Sequence, residues 1–291
     1  MKKNLKWLVL ILILIISIIL IGMSIIYYKV KYGFPIYEKT APELNIDISK
    51  LNILIYSKTN GFSHTESILE ANKLFNHFGK KNDWNITFSN NGAIFNDEHL
   101  NLFNLIIWNN VTGRTLNKDQ RKSFKKYMEN GGSFIGLHGA GDDSHHWPWY
   151  YENLINAEFS HHSIDPHIQG TSLNRECSND LIYCKEIPER WIHSDEWYVF
   201  YSKPTENGAK VLYSIDDNSI STNGNMGFLI KNKNFGMGEN HPVIWHKCIE
   251  NGGKSFYSSL GHSSEAYQDI NYKKILEFAI TWSIDKNQLC N

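Results

Sequence analysis

An uncharged run of 20 residues, 7–26, restricts what the N-terminus of this chain can form. The run consists almost entirely of Leu, Ile and Val. At 1.5 Å per residue, a helix of this length spans about 30 Å, the thickness of the hydrocarbon core of a bilayer. A cleaved signal peptide has a shorter apolar stretch and a small-residue cleavage site, and neither feature is present. The run therefore predicts an uncleaved, single-pass transmembrane helix within an anchor at residues 1–31.

Lysines flank this run on both sides. They are Lys2, Lys3 and Lys6 before it and Lys29, Lys31 and Lys39 after it. Basic flanks tend to stay on the cytoplasmic side of a membrane. The three N-terminal lysines favour a cytoplasmic N-terminus and an exported body, either periplasmic or extracellular, although the later lysines reduce the asymmetry.

The rest of the chain has the composition of a globular protein. Apolar residues make up 42% and charged residues 20% of the sequence, and the formal net charge is -1. Without a basic field, the chain is not expected to bind nucleic acid. The proline-containing segment 32–50 predicts a linker, 51–285 a folded domain and 286–291 a tail.

The four cysteines show no metal-type spacing. They are Cys177, Cys184, Cys248 and Cys290. Cys177 and Cys184 either pair across a short loop, if the body lies outside a reducing compartment, or remain free thiols.

Within the domain, short apolar runs alternate with segments of helical spacing. The predicted strands are 51–56, 85–89, 105–108, 133–137, 197–201, 210–215, 243–246 and 255–259, and the predicted helices are 66–80, 117–129, 149–156 and 270–284. This alternation predicts an α/β fold with a mostly parallel sheet covered on both faces. Ligands of such sheets bind beyond the carboxyl ends of the strands, so functional residues are expected there.

A histidine stands between small residues after the strand 133–137, in the sequence Gly136-Leu137-His138-Gly139-Ala140. The pattern has the form of a nucleophile elbow, in which small neighbours allow a sharp turn that projects the central side chain. An imidazole there suits a general acid or base, or a metal ligand, but does not form the usual stable acyl intermediate. The alternative is a histidine that is only hydrogen-bonded against the sheet.

Two further histidines follow strands. His64 lies in a glycine-containing turn before a predicted helix, where free backbone N–H groups can hold a polar or anionic group. The turn matches neither a P-loop nor a GxGxxG pattern, and Ser63 as a plain helix cap is the alternative. His262 follows the last strand, so we expect it at the same sheet edge as His138.

Two adjacent carboxylates, Asp195 and Glu196, precede a predicted strand. Neighbouring side chains of an extended chain point in opposite directions, so one carboxylate is expected to enter the site while the other caps a loop or forms an ion pair. We favour Glu196 for the site. Loop capping by both is the alternative.

Histidines and aromatic residues are concentrated after the elbow. The histidines are His138, His145, His146, His161, His162 and His167, and the aromatic residues are Trp147, Trp149, Tyr150 and Tyr151. The adjacent histidine pairs do not have the usual spacing of zinc ligands, and HExxH is absent from the sequence. We assign no metal ligand and no certain cofactor, and a divalent metal remains open. The aromatic residues suit a sugar-stacking platform, core packing or, if exposed together, a docking patch.

Several segments resemble the ThuA-like family, which is named for trehalose utilisation. They are GGSFIGLHGA (131–140), IYSKTNGFSHTES (55–67), FSHH (159–162), SDEWY (194–198), HPVIW (241–245) and FYSSLGH (256–262), together with Trp147, Trp149 and Tyr150. They follow the family order and cover residues 51–284. Where the family has His-Pro, this chain has His162-Ser163, so this loop departs from the family pattern.

The resemblance implies a doubly wound, flavodoxin-like sheet of the class I glutamine amidotransferase type, in which His138 replaces the catalytic cysteine and glutaminase activity is absent. It also implies a role in carbohydrate metabolism, with a sugar, keto-sugar or glycoside as the small-molecule partner. We predict acid/base chemistry by His138, assisted by His262 and Glu196. The predicted substrate contacts are His64, Asp142, Trp147, His162 and Asp195. A hydrolase, a lyase and an isomerase all remain open, and the alternative is a non-catalytic sugar-binding module.

Overall fold

The computed structural model describes residues 2–177, 182–185, 187–227, 233–249 and 253–285. The predicted tail, 286–291, lies outside the described residues, as does Cys290. The strands are β1 (Asn52–Tyr56), β2 (Asn85–Ser89), β3 (Leu105–Asn109), β4 (Ser133–Leu137), β5 (Phe159–His162), β6 (Gln169–Arg175), β7 (Arg190–Asp195), β8 (Tyr198–Phe200), β9 (Lys210–Ile215), β10 (His241–Cys248) and β11 (Lys254–Ser258). The α-helices are α1 (Lys2–Tyr32), α2 (Thr65–Asn82), α3 (Asp97–Leu100), α4 (Lys118–Glu129), α5 (Pro148–Tyr150) and α6 (Ile270–Ile284).

In the described part of the chain, nine strands form one mixed sheet in the order β2-β1-β3-β4-β11-β10-β9-β6-β7. The first five are parallel to one another. Their order is the 2-1-3-4-5 arrangement of a doubly wound sheet. From β11 onward each neighbour is antiparallel. The predicted mostly parallel sheet is therefore correct for the first half of the sheet and wrong for the second.

The parallel strands are buried on both faces, as their continuous apolar sequences predict. Alternate residues of β1 face different cores. Ile53 and Ile55 pack in the core that includes buried residues of α2 and α6. Leu54 and Tyr56 pack in the core that includes α4. Because the five strands run in the same direction, their carboxyl ends lie at one rim of the sheet, between the two helical layers.

The strands that the sequence did not predict, β5, β6 and β7, lie in the antiparallel part, whereas β8 falls within the strand predicted at 197–201. β5 and β8 pair with each other outside the main sheet, and β6 and β7 form the edge of the main sheet. Their sequences are short or rich in polar residues, so they lack the apolar runs of β1 and β3. The helix predicted at 149–156 is α5 followed by a π-helical turn, Tyr151–Ile155.

At the N-terminus, α1 contains one candidate membrane span among the described residues, Asn4–Lys29, with a mean hydropathy of 3.3 and none of the tested window buried. By length and composition it can cross a membrane. The predicted linker that follows has neither helix nor strand at 33–50. It packs on the domain, since Glu38 pairs with Lys58 at 2.5 Å and accepts a hydrogen bond from the backbone N–H of Gly92.

Cys177 and Cys184 form a disulfide. Of the two readings left open by the sequence, the structure therefore has the paired one. The bond closes a short loop beyond β6.

Candidate functional site

Three parallel strands each carry a histidine beyond the carboxyl end. His64 follows β1, His138 follows β4 and His262 follows β11. β4 and β11 are neighbours in the sheet, and β3 separates β4 from β1. The three imidazoles therefore converge, with ring centroids 4.7 Å apart for His64 and His138, 5.2 Å for His138 and His262, and 5.0 Å for His64 and His262.

The elbow at His138 is formed by a backbone in the left-handed region, with a φ of 44°. A Cβ at Gly139 would lie 2.9 Å from Thr112 Cγ2, which explains the small residue next to the histidine. The Nδ1 atom of His138 lies 2.7 Å from the carbonyl oxygen of Ser259. Because a carbonyl can only accept, Nδ1 carries the hydrogen of this bond, and the Nε2 atom faces the site.

Glu196, in the turn between β7 and β8, contacts two of these histidines and two more. Its Oε2 atom lies 3.2 Å from His138 Nε2 and 3.3 Å from His262 Nδ1. Its Oε1 atom lies 3.0 Å from His162 Nδ1 and also contacts His167 Nε2. We refer to these side chains as the His–Glu cluster. Its members are His64, His138, His162, His167, Glu196 and His262.

The electrostatics of the cluster centre on an ionised carboxylate. Burial alone would raise the pKa of Glu196, but the four imidazoles in contact with its carboxylate hold that pKa well below its usual range. Burial would lower the pKa of His162, and the bond to Glu196 outweighs this and raises it. For His64, burial and then the neighbouring His138 lower the pKa to about 2, so its ring is neutral.

Access to the cluster comes from one side. His138 has no exposed side-chain surface and Glu196 retains 4%. The exposed fraction rises to 19% for His262, 37% for His162 and 45% for His167. The structure thus places His138 at the predicted rim but beneath its neighbours, so a ligand meets the imidazoles of His262, His162 and His167 first.

Asp195 organises the loop that carries His262. Its carboxylate accepts hydrogen bonds from the backbone N–H groups of Gly261, at 2.8 Å, and His262, at 3.1 Å. His193 lies 3.2 Å from Asp195 and 2.9 Å from Asp269, which caps α6. Asp195 and Glu196 thus point to different partners, as expected for adjacent residues of an extended segment.

The structure does not bring the predicted substrate contacts Asp142 and Trp147 into the His–Glu cluster. Asp142 accepts hydrogen bonds from the backbone N–H and the hydroxyl of Ser144. Burial raises the pKa of Asp142 to about 7. Trp147 stacks on Tyr150, and the Arg121 guanidinium lies 5.0 Å from the centre of its ring.

The aromatic run around Trp147 does not form one exposed patch. Tyr150 is fully buried, and its hydroxyl donates a hydrogen bond to the carbonyl of Ala140. Trp147 and Tyr151 line a cavity of about 570 Å³ whose described lining includes no member of the His–Glu cluster. These rings therefore pack mainly against one another and beside a separate cleft.

Two contributors to the site were missed by the sequence reasoning. Tyr198 places its hydroxyl 3.2 Å from His138 Nε2, and His167 reaches Glu196 from the loop between β5 and β6. Their only signal was that Tyr198 belongs to a family-like segment and that His167 is one of several nearby histidines. The alternative of a cap at Ser63 is wrong, because His64 is the N-cap residue of α2 and no side chain caps it.

Two sets of side chains within the described residues have donor atoms close enough to hold a metal ion. One set is His64, His138, Glu196 and His262, and the other is His162, His167 and Glu196. Within each set the donor atoms all lie within 4.8 Å of one another.

Comparison with known proteins identifies a matching family and solved structures of similar fold. The family described as ThuA, Trehalose utilisation, matches residues 52–283. A crystal structure described as a ThuA-like protein from Bacteroides uniformis has a TM-score of 0.67 and 23% identity, covering 88% of this chain and 97% of that one. A second, from Parabacteroides merdae, has a TM-score of 0.60 and 16% identity, covering 81% and 90%. Among curated proteins, none matches this chain.

Proposed function

This chain belongs to the ThuA family, whose description is trehalose utilisation, and from that membership we propose that it acts on a sugar, a keto-sugar or a glycoside by acid/base chemistry. The observation that carries the proposal is the His–Glu cluster. An ionised carboxylate, surrounded by imidazoles of graded exposure, lies at the rim where doubly wound sheets bind ligands.

The geometry supports a division of roles. Glu196 and His262 are close enough together to share a proton, and either can exchange it with a substrate at a carbon next to a carbonyl or at a glycosidic oxygen. His162 contacts the other carboxylate oxygen from the exposed side, where a substrate binds. His138 has no exposed surface, so it acts through Glu196 and His262 by fixing their positions and charge.

Glutaminase activity is not part of this proposal. The elbow presents the imidazole of His138, where an amidotransferase requires a thiol nucleophile. Cys177 and Cys184 are joined in a disulfide and lie beyond β6, away from the elbow.

We propose further that the domain is exported and tethered by α1. The apolar helix is long enough to span a bilayer, and three lysines precede its apolar core. The Cys177–Cys184 disulfide suits an oxidising compartment. This location would place the site on the side of the membrane where a cell first meets external sugars.

A ligand screen followed by a turnover assay tests the function. The detergent-solubilised full chain is heated with monosaccharides, disaccharides and their keto forms, and a sugar that binds the native state raises the apparent Tm. Products are then sought with each stabilising sugar.

We expect Glu196→Gln to lower turnover by roughly 10² to 10⁴-fold, the usual contribution of a general acid or base. The matched control, Glu129→Gln on the exposed face of α4, should retain wild-type turnover. If no sugar shifts the Tm of the wild type, the proposal is wrong.

The complete burial of His138 favours a second candidate, a sugar-binding module without catalysis. In that case a sugar raises the Tm, but the wild type forms no product and His138→Ala has no turnover to lose. An enzyme would instead lose turnover in His138→Ala while retaining most of its sugar affinity.

A further inference from the structure

We propose that the inner part of the His–Glu cluster is a binding site for one divalent transition-metal ion, and that Zn²⁺ suits it best. The ligands are His64, His138, Glu196 and His262. The site is the one to which the proposed sugar chemistry is assigned, but metal binding can be measured without any sugar.

Three donor atoms are arranged as metal ligands rather than as hydrogen-bond partners. His138 Nε2, His262 Nδ1 and Glu196 Oε2 form a nearly equilateral triangle with sides of 3.2, 3.2 and 3.3 Å. A ring nitrogen has at most one hydrogen and a carboxylate oxygen has none, so hydrogen bonds account for at most two of the three sides of this triangle. Tetrahedral ligands at zinc bond lengths of about 2.0 to 2.1 Å are about 3.3 to 3.4 Å apart. The triangle therefore has the dimensions of one face of a zinc coordination tetrahedron.

The tautomer of His138 matches this role. Its Nδ1–H group donates to the carbonyl oxygen of Ser259 at 2.7 Å, which directs the Nε2 lone pair toward Glu196 and His262. Metal-binding histidines usually donate their second ring N–H group in this way, because the bond fixes the ring orientation. When no ion is bound, the Tyr198 hydroxyl is the donor available to Nε2.

His64 provides an independent observation. Its side chain packs on His138 and His262, the residue is 9% exposed, and its Nδ1 atom is buried without a hydrogen-bond partner among the described residues. Buried polar atoms are normally satisfied, so an unpaired one calls for an explanation. A metal ion held against this ring by its neighbours would account for it.

The donor types select the metal. Three imidazoles and one carboxylate suit Zn²⁺ and neighbouring transition metals, whereas Ca²⁺ and Mg²⁺ prefer sites built from oxygen ligands. His162 and His167 contact the other oxygen of Glu196 and stay outside this ligand set. With the ion bound, the proton transfer proposed for Glu196 and His262 would pass to His162 and His167. Because four side chains would complete its tetrahedron, a zinc ion here would polarise the carbonyl oxygen of a keto-sugar only by expanding to five ligands.

Zinc binding by the full chain in detergent tests the proposal. The protein is stripped with a chelator and titrated with Zn²⁺ by calorimetry, and bound metal is counted by mass spectrometry. We expect one tightly bound Zn²⁺ per chain. His138→Ala and His262→Ala should each weaken binding by more than about 100-fold, because loss of even an outer-shell partner costs roughly 10 to 100-fold. His262 is partly exposed, so its variant is expected to fold even if the buried His138→Ala variant does not. His77→Ala, which removes an exposed imidazole on α2, should bind like the wild type.

A wild type without stoichiometric Zn²⁺, or a folded His262→Ala variant that binds as tightly as the wild type, would overturn the metal site. Zinc binding without any sugar response would leave the metal site standing and remove the proposed function. Turnover of a sugar by protein that binds no Zn²⁺ would support the proposed function and rule out the metal site.

Discussion

Gly141, three residues beyond His138, shows how closely the elbow is packed. A Cβ at this position would lie 2.3 Å from the ring of Tyr257. The Tyr257 hydroxyl donates a hydrogen bond of 2.9 Å to the backbone carbonyl of His138, so the ring supports the turn that presents the imidazole. Both residues are fully enclosed by the fold.

We therefore expect Gly141→Ala to lower the free energy of unfolding by about 1 to 3 kcal/mol, the usual cost of forcing extra volume into a packed interior. Gly170→Ala is the control, because its added Cβ meets only the movable Ser194 hydroxyl, and it should change stability by less than about 0.5 kcal/mol. Urea unfolding of the detergent-solubilised chain measures both values. Equal stabilities for the two variants would contradict this account of the elbow.

For single residues, the sequence predicted the turn at His138 but not the burial of its side chain. The flanking glycines indicate a sharp turn after β4, and the structure has that turn at His138. Whether the ring is exposed depends on Glu196 and His262, which reach it from distant parts of the chain. No local pattern records those contacts. The contacts of His162 and His167 with Glu196 could not be predicted from the sequence for the same reason.

Between elements, His193 joins the end of β7 to the start of α6. Its ring lies between the carboxylates of Asp195 and Asp269, and Trp191, Trp197 and Tyr272 surround it. Burial alone would lower the pKa of His193, but its hydrogen bonds to the two carboxylates raise it to about 9.

This shift predicts a pH-dependent stability. The folded pKa lies above the unfolded value of about 6.5, so the stabilisation is fully present below pH 6.5 and is lost as the pH rises toward 9, by an amount on the order of 3 kcal/mol. Urea unfolding at several pH values across this window should show the loss, and His193→Gln should remove most of it. In His246, burial and then two nearby lysines lower the pKa to about 4, so this group does not titrate in the window. The His246→Gln variant should therefore lose unfolding free energy with rising pH as the wild type does. If the unfolding free energy of His193→Gln depends on pH as steeply as that of the wild type, another group is responsible for the pH dependence.

Helix α4 begins with a capping box. The Asn117 side chain accepts from the Gln120 backbone N–H, and the Gln120 side chain accepts from that of Asn117. Asn117→Ala should cost about 1 kcal/mol of unfolding free energy, because it leaves a helix N–H unpaired, while Asn117→Asp keeps the acceptor and should cost only a few tenths. Thermal unfolding of both variants checks the difference. If both variants unfold at the same temperature, water replaces the capping side chain without loss of stability.

The predictable elements were those with buried, continuous apolar runs or a clear helical period, such as β1, β3 and α2. The antiparallel elements β6 and β7 were missed, because one face is polar and their pairing depends on partners far along the chain. This omission mattered for the site, since Glu196 follows β7 and His167 precedes β6.

Taken as a whole, the molecule combines a packed domain with an apolar helix whose candidate span is not buried by the other described residues. Along α1, Leu and Ile side chains are about half exposed or more, as Leu14 and Ile16 are at 60% and 47%. Water disfavours so large an apolar surface, so we expect this helix to be stable in a bilayer or a detergent micelle.

The anchor can be tested by charge insertion. Each lysine at the centre of a span costs roughly 2.5 to 3.5 kcal/mol on insertion scales. The double variant Ile15→Lys, Ile16→Lys should therefore move from the membrane fraction to the soluble fraction, while Ile15→Val, Ile16→Val should remain in membranes after an alkaline wash. Release of the wild type by that wash would contradict the prediction of a membrane span.

The last prediction concerns the side of the membrane on which the domain lies. We expect the three N-terminal lysines to stay in the cytoplasm and the domain to be exported, because basic flanks resist translocation. In a bacterial host, protease added to spheroplasts should digest the domain before the cells are lysed, and a cytoplasmic marker protein should survive. Replacing Lys2, Lys3 and Lys6 with Gln removes the basic flank and should increase the protected fraction, since Lys29 and Lys31 then dominate. The same replacement at Lys80, Lys81 and Lys122, which lie on α2 and α4 far from the span in sequence, should leave the digestion unchanged. If the wild-type domain is protected until lysis, the exported location is wrong, and the Cys177–Cys184 disulfide would then have to survive in a reducing compartment.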